Sequence, residues 1–281
     1  MAPQLPNTQD NLPHHQVSLT HVGVANLKTF VNVNRKNKGY RFIVNVNLTV
    51  NLKATLKGVH MSRMVESATE IFADESRKSP ESLEKLADTV LETLNDRFPF
   101  EEGELEMSFD FAHEVTTPVS EKRSIEVYPI KIRTIRNGGG RTFHHVTVKS
   151  LGNTACPHAL AVADGQRTHI QRAIAQLTIS GVEDQIPMFE DMIEVVEKSF
   201  SSPTFSVLKT VDEAWVVTRM FENPLFVEDV CRGLLARADH QFSGNRINIS
   251  ASVVSEESIH KHDVVARGEI LRFTDSELFG N

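Results

Sequence analysis

Cysteine is almost missing from this 281-residue chain: only Cys156 and Cys231 are present, beside one tryptophan and two tyrosines. Two thiols exclude a disulfide scaffold and point to a reducing compartment, so a cytoplasmic location is expected. No apolar run approaches the roughly 18 residues that a membrane span needs. The opening "MAPQLPNTQDNLPHHQ" has neither a basic lead nor an apolar core, which excludes a secretory signal; residues 1–16 read as an extended arm, free or packed on a neighbouring subunit. Basic blocks are lacking as well. Against 30 Lys and Arg stand 37 Asp and Glu, a formal charge of -7, which excludes a general nucleic-acid binder and leaves room for a small anion held by a few local cations.

What is present is an ordinary globular composition, 40% hydrophobic and 24% charged, long enough for one large domain or two of about 140 residues. From Val17 to Val33, and again from Tyr40 to Leu56, Val, Leu, Thr and Phe dominate, and "RFIVNVNLTVNLK" alternates with period two. These are strand signals around the turn "NRKNKG". "SRMVESATEIFADES" and "SPESLEKLADTVLETLNDRF" follow with helical spacing, the second opening at Ser79, Pro80 and Glu81. The strands "ELEMSFDFAHEV" and "SIEVYPIKIRTI" lead to the break "RNGGGR".

Beyond the break the order repeats. "TFHHVTVKSL" and "RAIAQLTISGV" read as strands, then come two helical stretches, the second broken near Asn223 and Pro224, and then the strands "RINISASVVS" and "DVVARGEILRF". The pattern is ββααββ twice, over 17–137 and 138–281. Such antiparallel sheets hide one face under helices and leave two open edges, which copies cover by joining edge to edge.

Four segments carry reactive side chains. "GNTACPHALAVADGQRTHIQR" places Cys156 and His169 thirteen apart; a thiolate and an imidazole suit Zn(II) or Fe(II), while packing for the thiol and hydrogen bonding for the imidazole are the plainer alternatives. "SEESIHKHD" sets Glu257 and His260 three apart, fit for acid/base work near neutral pH or simply a polar hairpin turn. "KGVHMSR" offers Lys57, His60, Ser62 and Arg63 at a helix start, a phosphate site or a plain cap. Glu213 and Glu228, fifteen apart on the last helical region, read by default as solvated carboxylates, and "RNGGGR" lacks the Lys-Ser/Thr ending of a phosphate loop.

Together "VSLTHVGVANLK", "KGVHMSR", "GNTACPH", "THIQRA", "ENPLFVEDV" and "EESIHKHD" resemble, in order, the motifs of the type IB GTP cyclohydrolases, the family that includes the archaeal GTP cyclohydrolase. The resemblance implies an α+β tunnelling fold, with two tandem ββααββ modules per chain assembling into barrels of a homotetramer and active sites at subunit interfaces. It implies that GTP is opened at its imidazole ring with loss of C8 as formate, at the start of pterin synthesis. One divalent metal per subunit, Fe(II) first and Zn(II) or Mn(II) next, would be held by Cys156, His169 and Glu213.

By the same resemblance Glu228 anchors the guanine edge, Glu257 and His260 form the acid/base pair, and Lys57, His60, Ser62 and Arg63, with Arg167 and Arg172, handle the phosphates. Many members carry Cys-Pro-Cys where this chain has Cys156-Pro157-His158. The wording is closer to the branch forming dihydroneopterin 2',3'-cyclic phosphate than to the branch forming the triphosphate. A nitrile reductase using Cys156 as nucleophile, and a non-catalytic purine-binding protein, are the rival readings.

Overall fold

The computed structural model describes residues 8–35, 38–78, 80–274 and 277. Two compact units emerge, one comprising residues 1–109 and 131–144 and the other 110–130 and 145–281.

In the first unit, β1 (Leu19–Arg35) and β2 (Lys38–Leu52) form an antiparallel hairpin, and β2 continues onto β3 (Glu102–Thr116) with Val46 opposite Met107. The period-two pattern decides which face is covered. Phe42, Val44, Val46, Leu48, Val50 and Leu52 are buried, while Ile43, Asn45, Asn47, Thr49 and Asn51 point the other way. The register slips between Val24 and Leu27, where Asn26 adopts φ 60° and donates its backbone N–H to the Asn47 side chain at 2.8 Å. Helix α1 (Met61–Lys78) packs on β1 and on α2 (Leu83–Arg97).

Helix α2 starts later than "SPE" suggests. Its N-cap is Ser82, whose Oγ accepts the Lys85 N–H at 2.9 Å; Ser79 lies outside the described residues.

Strand β4 (Arg123–Asn137) begins in the second unit and ends in the first, and turns into β5 (Thr142–Ala155). The second unit continues with α3 (Pro157–Val162), β6 (Ile170–Gly181), α4 (Phe189–Glu197), the short β7 (Ser202–Pro203), α5 (Thr210–Glu222), α6 (Val227–Gln241), β8 (Asn248–Glu256) and β9 (Val264–Ile270). The helical break expected at Asn223 and Pro224 separates α5 from α6. α6 covers β6, β8 and β9, and α4 packs on β6 and α6. Among the described residues no helix is long and apolar enough to cross a membrane.

The expected fold of two tandem ββααββ tunnelling modules is overturned. The strands form one nine-stranded antiparallel sheet in the order β1-β2-β3-β4-β5-β6-β8-β9, with β7 pairing β5, and six α-helices accompany it among the described residues. Two physical causes account for the difference. "RNGGGR" is a tight hairpin rather than a linker: Asn137 donates to the Arg141 carbonyl at 3.1 Å and Gly140 takes φ 81°, so β4 runs directly into β5. The second half also carries α3 between its first two strands.

The core of the first unit makes a measurable contrast. Leu91 on α2 is fully buried and Ile43 on the open face of β2 is 77% exposed. Leu91→Ala is expected to cost about 2–5 kcal/mol. Ile43→Ala should stay within about 0.5 kcal/mol, both read from denaturant midpoints.

Candidate active site

Cys156 closes β5 and is the N-cap of α3: its Sγ accepts the Ala159 N–H at 3.3 Å. Its own N–H donates to the carbonyl of His169 at 3.2 Å, and the Thr168 hydroxyl donates to the Cys156 carbonyl at 2.6 Å. The thirteen-residue excursion is therefore pinned at its two ends, and the thiol and imidazole are carried by adjoining backbone. Both side chains are half-buried, whereas His158 and Arg167 are exposed. Cys231 is a core residue of α6 facing β8, and burial pushes its thiol up, which leaves Cys156 as the accessible cysteine.

The end of β5 is held from a second side. Gly152 pairs with Pro203 and Asn153 with Ser202, and the ring of Phe200 lies against Gly152 so closely that a Cβ would sit 2.2 Å from it. The glycine in "GNTACPH" is thus a packing requirement. Helix α5 then docks beside the site: Val216 and Met220 pack on Ala155, with Ile170, Phe205, Leu208 and Trp215 around them. Glu213 lies on the first turn of this helix, exposed.

The neighbouring Asp212 is the carboxylate that the fold uses. It is fully buried and accepts the N–H groups of Val119 (3.0 Å), Ser120 (2.9 Å) and Lys209 (3.1 Å), and the Ser120 hydroxyl at 2.6 Å. Burial pushes the carboxyl up; the hydrogen bonds from Ser120, Val119 and Lys209 outweigh it and hold the group well below the usual carboxylate range. Sequence reading passed over Asp212, although an Asp in the third position of a helix is a recognisable end-capping signal.

Glu257, half-buried just past β8, accepts from the Gln171 amide at 3.3 Å and the Ser255 hydroxyl at 3.0 Å. Ser258 Oγ lies 3.5 Å from His169 Nδ1, so the β8–β9 turn reaches the Cys156–His169 pair. His260 is exposed, its ring stacked on His262 with centroids 5.3 Å apart. Glu228 is exposed in the first turn of α6, where the helix dipole favours a carboxylate.

Arg172 on β6 reaches a cavity of about 560 Å³, with Tyr128, Lys149, Glu126, Glu197 and Glu256 among its walls. There the Tyr128 hydroxyl donates to Glu197 at 2.5 Å; burial raises both groups. Glu126, pushed up by burial, is held low by hydrogen bonds from Ser206 and Ser124.

Lys57, His60, Ser62 and Arg63 belong to the first unit. Lys57 and Gly58 donate their N–H groups to the Gln9 carbonyl, and His60 Nε2 lies 3.3 Å from the Asp10 carboxylate, so part of the N-terminal arm folds onto this segment. Ser62 and Arg63 are exposed at the start of α1.

Among the described residues no group of three or more His, Cys, Asp and Glu side chains is assembled for a metal. The chemistry of Cys156, His169 and Glu213 suits a divalent ion, and the first two adjoin; Glu213 contributes an exposed carboxylate on the helix packed beside them.

Two outcomes follow from these contacts. Gly152→Ala must displace Phe200 and should lose about 1–3 kcal/mol in a denaturation experiment. Asp212 has a depressed folded pKa, so its stabilisation is complete above the unfolded value of about 3.9 and is lost as pH falls through the folded one. The gap in melting temperature between the wild type and Asp212→Asn should be constant above about pH 5 and narrow below about pH 4.

Residues 5–266 match the family model described as type I GTP cyclohydrolase folE2. The GTP cyclohydrolase MptA of Thermococcus kodakarensis is 44% identical over 264 residues, covering 92% of this chain and 97% of the relative. Its namesake from Pyrococcus abyssi is 43% identical over 263 residues with the same coverage, and that of Methanothermobacter thermautotrophicus is 30% identical over 312 residues, covering 98% and 97%. Among solved structures the uricase of Arthrobacter globiformis superposes with a TM-score of 0.56 at 8% identity, covering 90% of this chain and 93% of that one. This last likeness concerns the fold alone. With a match across nearly its whole length, the chain belongs to the type I GTP cyclohydrolase folE2 family.

Proposed function

We propose that this protein opens the imidazole ring of GTP hydrolytically and releases C8 as formate, at the start of pterin synthesis. The observation that supports this most is the hydrogen bond from the Cys156 N–H to the His169 carbonyl, which joins the backbones of these two residues, with Ser258 of the following turn 3.5 Å from the His169 ring.

Each residue takes one role in this reading. Guanine offers N1–H and its 2-amino group side by side as donors, and the exposed carboxylate of Glu228 at a helix start is an acceptor for both. Glu257, steadied by Gln171 and Ser255, and His260 are the acid/base pair that moves protons at N7 and at the waters consumed. Lys57, His60, Ser62 and Arg63, with Arg167 and Arg172, take the phosphates as cations and hydrogen-bond donors. In the proposed homotetramer these groups converge at subunit interfaces.

Cys156, His169 and Glu213 would hold one divalent metal, Fe(II) first and Zn(II) or Mn(II) next, with His158 beside them. When bound, such an ion supplies water acidified to a pKa of about 7. The product in this reading is 7,8-dihydroneopterin 2',3'-cyclic phosphate.

Purified protein supplied with Fe(II), Mn(II) or Zn(II) should release formate from GTP, and mass spectrometry of the pterin separates cyclic phosphate from triphosphate. Cys156→Ala should lose both metal content and formate release while the protein stays folded; full activity in that variant would overturn the assignment. Metal content that survives the loss of activity would point instead to a covalent nucleophile. Glu228→Ala should raise KM for GTP with metal content intact.

A further inference from the structure

Ser201 is a fully buried hydroxyl at the junction of three segments. Its Oγ accepts the N–H of Ala155 at 3.3 Å and the N–H of Leu225 at 3.2 Å. Ala155 precedes Cys156; Leu225 stands three residues before Glu228, in the link between α5 and α6. The same link is tied again by Asn223, which caps α5 and whose side-chain amide donates to the carbonyls of Phe200 (3.2 Å) and Ser201 (3.4 Å). Ser201 in turn donates its N–H to the Asn153 carbonyl at 3.0 Å. One short segment therefore clamps the strand end that carries Cys156 to the turn from which the Glu228 helix starts.

These bonds are not needed to close any strand or helix. The α5–α6 link contains Pro224 and could leave its helix at many angles; one hydroxyl that accepts the N–H of buried Ala155 and of half-buried Leu225 fixes which angle is used, because a polar group that loses its partner away from water is costly. A carboxylate that grips the guanine edge works only if C8 then falls at the reacting groups, and a misplacement of about 1 Å is enough to lose much of the rate.

We infer that Ser201 and Asn223 are positioning residues for substrate: they set where Glu228 stands relative to Cys156, and so where the purine ring lies. This rests on the reading of Glu228 as the guanine anchor and goes beyond it by assigning what places that anchor.

The test compares two substitutions of nearly equal volume. Ser201→Thr keeps the acceptor oxygen and Ser201→Val removes it. On formate release from GTP by the metal-loaded enzyme, Ser201→Thr should stay within about threefold of wild type, and Ser201→Val should lose roughly tenfold or more in kcat/KM, with kcat falling as well as KM rising. Asn223→Ala, at a half-buried position, should shift KM in the same direction and carries the test if Ser201→Val does not fold.

The second arm uses Glu228→Ala as background. If Ser201 acts through Glu228, adding Ser201→Val there should cause little further loss. Equal kinetics for the Thr and Val variants, or losses that simply add in the Glu228→Ala background, would overturn the inference. An unchanged KM in Glu228→Ala alone would instead sink the reading of Glu228 as anchor, so the two failures are distinguishable.

Discussion

The lie of Phe200 to Pro203 along the end of β5 is the constraint on which the candidate site depends. The ring of Phe200 occupies the space where Gly152 would otherwise carry a Cβ, and Ser202 and Pro203 extend the ladder as β7. From that contact the remaining geometry follows. Ala155 is held by Ser201, Cys156 emerges at the start of α3, and α5 packs its Val216 and Met220 onto the same strand end. The Cys156 thiol is thus displayed from the end of a central strand whose position is fixed by packing and hydrogen bonds on several sides.

Around this frame the second unit distributes its carboxylates into two kinds. Asp212 and Glu126 are saturated with hydrogen bonds and serve the structure, the first locking α5 to the β3–β4 turn and the second holding Ser206. Glu213 and Glu228 are left exposed at the first turns of two successive helices, available to a ligand. Glu257 is intermediate: steadied by a side-chain amide and a hydroxyl, yet half open.

Much of this was legible in the residues. Period-two alternation in "RFIVNVNLTVNLK" decides which face of β2 is buried, because side chains on a strand alternate regardless of context. Asn223 and Pro224 end a helix by local sterics. The backbone contact between Cys156 and His169 is not legible from their spacing, which leaves packing and hydrogen bonding as the plainer alternatives; the folding of the excursion through α3 brings it about. Less legible was the choice between adjacent carboxylates in "VDEAW", where Asp212 turns inward and Glu213 outward; the helix phase against Val216 and Met220 decides it. The link reading of "RNGGGR" failed because three glycines serve a tight hairpin as well as a linker, and only strand pairing on both sides distinguishes them.

Local residue patterns are enough for every strand but β7, for the helices other than α3, for the break before Glu228 and for the ordered motifs by which the family is recognised, all properties of short windows where backbone preference and side-chain period act locally. Tertiary structure alone decided that the strands form one sheet, that Gly152 must lack a side chain, and that Ser201 joins Ala155 to Leu225. The reason is distance along the chain: the bond from Ala155 to Ser201 spans 46 residues and that from Ser120 to Asp212 spans 92, so no local pattern encodes their pairing, and only the packed interior, which leaves each buried N–H few acceptors, selects it.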